Sequence, residues 1–63
     1  MDFGAEIKKA RISKGYTQAN LALKSGLTQP QIARIENNDT QPRINTLIKI
    51  SNALDLKLVI EFK

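Results

Sequence analysis

The 63-residue chain contains no cysteine and no histidine. Without thiols it can form neither a disulfide nor a thiolate metal site, and without imidazole it has neither that metal ligand nor the usual neutral-pH general base. It also lacks a phosphate-cradling glycine loop and a pair of carboxylates designed onto one face, so no residue pattern points to an enzyme, a metal or a cofactor. No apolar run approaches the ~20 residues needed to cross a bilayer, and Met1-Asp2-Phe3-Gly4 does not begin a signal peptide. The expectation is a cytoplasmic protein with no membrane partner. Repeats, low-complexity tracts and linkers are absent as well. One small domain follows, with a modest core whose stability must come from helix packing or from a partner chain.

What the chain does carry is positive charge. Ten Lys and Arg oppose six Asp and Glu, for a net charge of +4. That sign suits a protein that approaches phosphates, but it serves solubility equally well, and charge alone does not choose.

The pattern of apolar residues predicts four helices. Residues 2–14 form the first, with Asp2 as cap, Ile7, Ala10 and Phe3 on the inward face, and Lys14-Gly15 as the stop. Tyr16 packs over the junction. Thr17 caps a second helix with Leu21 and Ala22 inward, ending at Ser25-Gly26, where glycine can turn left-handed. Leu27 returns to the core and Thr28 caps a third helix. Pro30 lies in its first turn, where a missing N–H is harmless; Ile32 and Ile35 face inward, and Gln29, Gln31, Ala33 and Arg34 face outward. Residues 37–42 hold turn formers and no apolar side chain, which marks a surface loop. Residues 43–54 regain helical periodicity through Ile44, Leu47, Ile48, Ile50, Ala53 and Leu54, a broad face suited to sit beneath the preceding pair.

The last eight residues differ. Leu56, Leu58, Ile60 and Phe62 alternate with Lys57, Val59, Glu61 and Lys63, a period of two that favours a strand over the competing helix. A lone strand leaves its backbone groups unpaired. Pairing with the same strand of a second copy would satisfy them and make a homodimer. A free tail and an extension that pairs with a different protein are the alternatives. The expected organisation is thus a domain over 1–55, its helical hairpin at 17–37, and a dimerisation strand at 56–63 formed by Leu56, Leu58, Ile60 and Phe62.

The run TQANLALKSGLTQPQIARIENN, followed by Pro42-Arg43-Ile44 and LIKISNALDL, resembles the Cro and lambda-repressor type of helix-turn-helix family. The likeness spans about residues 7–56 and rests on coinciding features: Thr17-Gln18, Leu21-Ala22, Gly26-Leu27, Gln29, Ile32, Ile35-Glu36-Asn37 and Ala53-Leu54. Three positions depart from the pattern. Asn38 and Asp55 stand where relatives often carry glycine, and both residue types tolerate the left-handed region. Pro30 replaces a side chain that in relatives often faces the major groove.

The resemblance implies a mainly α, four-helix, lambda-repressor-like domain that reads double-stranded DNA. A helix fits the major groove with its N-terminal residues deepest, which puts Thr28, Gln29, Pro30 and Gln31 at the bases, followed by Arg34. The Gln29 amide matches adenine N6 and N7, Arg34 can fork onto guanine or take a phosphate, and the Pro30 ring can touch a thymine methyl. The family also implies backbone contacts from Thr17 and Gln18, with Gln18 bracing Gln29, and from Asn37 and Arg43 at the flanks. Arg11 and Glu36 correspond to a partly buried ion pair that joins helix one to helix three. Two such domains on a two-fold axis would read half-sites of a palindromic operator, as a transcriptional repressor does. Short members ending in a strand look like HipB-type antitoxins, which bind operator DNA and hold a toxin kinase. The other class of function consistent with these residues is a protein-interaction module that mainly sequesters such a partner.

Overall fold

The computed structural model describes residues 3–56, which form four helices: α1 (Phe3–Ser13), α2 (Gln18–Ser25), α3 (Gln29–Glu36) and α4 (Ile44–Ala53). There is no strand among the described residues. The Asp2 cap and the strand residues Leu58, Ile60 and Phe62 lie outside them.

Each helix closes in the same way. A left-handed residue follows the last turn: Gly15 (φ 74°), Gly26 (φ 74°), Asn38 (φ 60°) and Asp55 (φ 55°). The next amide then reaches back five residues, from Tyr16 to the Arg11 carbonyl, Leu27 to Ala22, Asp39 to Arg34 and Leu56 to Ser51, at 2.8–3.0 Å. These bonds satisfy carbonyls that the helix cannot. Two ends use glycine; the other two use the short polar residues that tolerate this conformation. The links can therefore be very short, and each helix is re-aimed sharply into the next.

The core is built from Ile7, Leu21, Ala22, Ile32, Ile35, Ile50 and Leu54, with Ala10, Tyr16, Leu27, Leu47 and Ala53 packed against it. α3 lies between α1 and α2, and α4 supports α2 from below. The approach of α1 to α3 depends on Gly4: a Cβ there would lie 2.6 Å from the carbonyl oxygens of Ile35 and Glu36. Lys14 at the end of α1 bonds Asp55 beyond α4 at 2.8 Å, and the Lys24 ammonium sits 5.0 Å from the Tyr16 ring centroid.

Two expectations are corrected. Phe3 is not an inward residue but exposed, because the close packing of α1 runs through Gly4 and Ile7. Ile44 and Ile48 are also half-exposed; the side of α4 packed into the core runs through Leu47, Ile50 and Leu54, and Ile44 and Ile48 lie beside it. The Leu56 amide bonds the Ser51 carbonyl and closes α4, which leaves the Leu56 side chain exposed.

Candidate nucleic-acid interface

α2 and α3 are held as a unit by apolar side chains on one side and by a charge network at one end. Leu21, Ala22, Ile32 and Ile35 are buried. Glu36, whose side chain is only 1% exposed, accepts from Arg11 Nε at 2.7 Å, Arg11 Nη2 at 3.0 Å and Gln18 Nε2 at 3.3 Å. The remaining arm of Arg11 donates to the Tyr16 carbonyl at 2.8 Å. The hydrogen bond to Glu36 raises the pKa of Arg11, so this guanidinium stays charged. One paired carboxylate thereby ties α1, the entry to α2 and the end of α3 together.

This network revises the role of Gln18. Instead of bracing Gln29 it turns toward Glu36 and is half-buried. A buried carboxylate is a stronger acceptor than a neutral amide, and its remaining lone pairs must be filled.

The opposite side of α3 carries Thr28, Gln29, Pro30, Gln31 and Arg34, all exposed. Both helix starts are capping boxes. In α2 the Thr17 hydroxyl accepts from the Asn20 amide and Asn20 Oδ1 accepts from the Thr17 amide, each at 3.0 Å. In α3 the Thr28 hydroxyl accepts from the Gln31 amide at 3.3 Å, while Gln31 Oε1 accepts from the Thr28 amide at 2.9 Å. The Thr-x-x-Gln and Thr-x-x-Asn spacings are legible in the chain: Gln31, expected at the bases, is a capping residue as well, and Asn20 is a capping residue that the motif does not single out.

The caps make the two helix starts electrostatically unequal. At α2 the amides of Gln18 and Ala19 remain without an acceptor among the described residues, aligned with the positive end of the helix dipole. At α3 Pro30 has no N–H and the Gln31 amide is capped, which leaves only that of Gln29. The first end suits a phosphate; the second presents side chains.

Arg34 and Gln31 face Gln41, Arg43 and Thr46 across a groove between α3 and the start of α4. Arg43 is the exposed N-cap residue of α4 and makes no side-chain cap bond, so its guanidinium is not committed to the helix. Asn37 is exposed at the C-cap of α3. Gln41 belongs to the loop expected at the flanking backbone; Thr46 of α4 joins it, a position set by the path of that loop, which periodicity does not encode.

Residues 7–60 match the family model described as Helix-turn-helix. The chain belongs to the helix-turn-helix family. Among relatives, this helix-turn-helix chain is 43% identical over 56 residues to the uncharacterized HTH-type transcriptional regulator YqaE of Bacillus subtilis, covering 89% of this chain and 48% of that protein. It is 35% identical over 54 residues to the antitoxin HipB of Escherichia coli K12, covering 86% of this chain and 61% of HipB. The crystal structure of SinR, master regulator for biofilm formation, in complex with DNA aligns with a TM-score of 0.83 at 39% identity, over 87% of this chain and 89% of that one. The chain spans less than half the length of the first curated relatives it matches. Its relatives are regulators rather than an enzyme class, and no helix of the described residues is long and apolar enough to cross a membrane.

Proposed function

We propose that this chain is a sequence-specific, DNA-binding transcriptional regulator, a dimeric repressor that acts on a palindromic operator in the cytoplasm and not an enzyme. The observation that carries the reading is the exposed polar start of α3, fixed by a buried ion pair beside a helix start with two unused amides. In this reading Gln29 and Arg34 contact base edges, with Thr28, Pro30 and Gln31 alongside. Thr17 and the Gln18 and Ala19 amides take one phosphate, and Asn37 and Arg43 take the flanking backbone. Similarity to SinR, whose structure holds DNA, supports it.

One domain has too few contacts for tight specific binding, so a second copy joined through Leu56, Leu58, Ile60 and Phe62 completes the reader. Similarity to HipB favours a second role as an antitoxin that also holds a toxin, with a kinase as partner. A kinase-like reading frame beside the gene would support that role; its absence would favour the plain regulator.

The test is selection of duplexes from a random pool, followed by fluorescence anisotropy of the enriched sequence. Binding should weaken about 10³-fold or more between 50 and 200 mM salt, as expected for at least six phosphate contacts. Gln29→Ala and Arg34→Ala should each weaken the selected duplex about fivefold or more. Unchanged affinity in both variants would refute the base-reading assignment.

A further inference from the structure

The capping box constrains what Gln31 can say to a base. A glutamine amide reads adenine with both ends at once: its oxygen accepts from N6 and its nitrogen donates to N7. In Gln31 the oxygen is already occupied by the Thr28 amide at 2.9 Å and the Thr28 hydroxyl at 3.1 Å. The orientation is chemically fixed, since a backbone N–H can only face an acceptor and Nε2 is a donor. Both lone pairs of Oε1 are therefore used within the helix start, and the outward end of this side chain is Nε2 alone. Releasing the oxygen would uncap α3, whose first turn already lacks one N–H at Pro30. Gln29, one position into α3, carries no such bond among the described residues and keeps both ends of its amide.

We infer that Gln31 is a donor-only specificity residue, which selects a base with an acceptor edge in the major groove, guanine O6 or N7, thymine O4 or adenine N7, and rejects cytosine, whose N4 only donates, while bidentate adenine reading belongs to Gln29. This rests on the DNA-reading proposal above and adds to it the chemical class of base at one operator position. The same bond makes the readout rigid: Gln31 is held in one rotamer before DNA arrives, so little freedom is lost on contact.

Gln31→Glu separates capping from reading. A glutamate at this position still accepts from the Thr28 amide, but it has no donor to offer. Base preferences of the full chain and of this variant are compared by selection from a random duplex pool and by competition with single-base operator variants. Thermal melting serves as the folding control. The wild type should disfavour cytosine against the other three bases about three- to tenfold at one position per half-site, the range of a single hydrogen bond. In the variant that preference should vanish or invert toward cytosine, whose N4 is a donor, while the adenine position that Gln29→Ala abolishes remains. The inference is overturned if the Gln31-dependent position is cytosine, or if Gln31→Glu leaves every base preference intact. A pool that yields no enriched sequence even for the wild type would instead sink the DNA-reading proposal, and this inference with it.

Discussion

Removing Arg11 should nearly unfold the domain, and removing its partner as well should restore it. Glu36 has a side chain 1% exposed and relies on two bonds from Arg11, at 2.7 and 3.0 Å, with a longer third from Gln18 at 3.3 Å. In Arg11→Met the buried carboxylate keeps only the amide, and stranding a buried charge costs about 3–5 kcal/mol. A chain of this size holds roughly 3–9 kcal/mol in total, so the variant would lose from about a third to all of its stability. Replacing both residues with methionine removes the uncompensated charge and should recover most of that loss, because the pair itself is worth little against a well-packed apolar substitute. Urea unfolding followed by circular dichroism at 222 nm reads the difference. With an m-value of about 1 kcal/mol/M, the single variant's midpoint should fall by about 3 M or the protein should be unfolded from the start. The coupling energy from the double-mutant cycle should exceed about 2 kcal/mol. A single-variant cost below about 1 kcal/mol, or single costs that simply add in the double variant, would refute this reasoning.

Other perturbations test the remaining packing and charge. Gly4→Ala gains about 1 kcal/mol in helix propensity but pushes a methyl to 2.6 Å from two carbonyl oxygens, so it should lower stability by about 1–2 kcal/mol and the melting temperature by about 5–10 °C; a rise would mean α1 is free to shift. The hydrogen bond from Lys14 holds the Asp55 carboxyl below its ordinary value of 3.8. A depressed folded value contributes stability that is whole above the unfolded value and lost as pH falls through the folded one, so the melting difference between wild type and Asp55→Asn should be constant near neutrality and shrink below pH 3.8. A difference that instead grows on acidification would contradict the pairing. Truncation after Leu56 leaves the closing bond of α4 intact and should convert a dimer to a monomer in sedimentation; a dimer that persists would move the interface to other surfaces, the half-exposed Ile44 and Ile48 among them.

Much of the fold was legible because its signals are local. Thr17 and Thr28 start helices, Gly15 and Gly26 stop them, and Asn38 and Asp55 do the work of glycine at the other two ends. The 3.6-residue period likewise picked out Ile7, Leu21, Ile32, Ile35, Ile50 and Leu54. Signals that failed are those that depend on tertiary distance. Nothing local says that Gly4 meets the carbonyls of α3, so Phe3 looked like the inward residue. The apolar period of α4 could not reveal that the core takes only one side of its broad apolar face, leaving Ile44 and Ile48 half-exposed. At the candidate interface, the exposed residues of α3 could be named from the motif, but the competition for Gln18 between Gln29 and Glu36 is settled by burial and charge. Gln31 is the intermediate case: its capping spacing was visible, and its consequence for base reading emerges only once the bond to Thr28 has a length and a direction.

The most direct test of the proposed DNA reader is amide chemical-shift mapping of the full chain on addition of its selected duplex. The changes should concentrate at Thr17 to Ala19, at Thr28 to Arg34 and at Asn37 to Arg43, with Ile12 and Leu23, which are exposed elsewhere, little affected. Changes centred on Ile12 and Leu23, with α3 undisturbed, would contradict it.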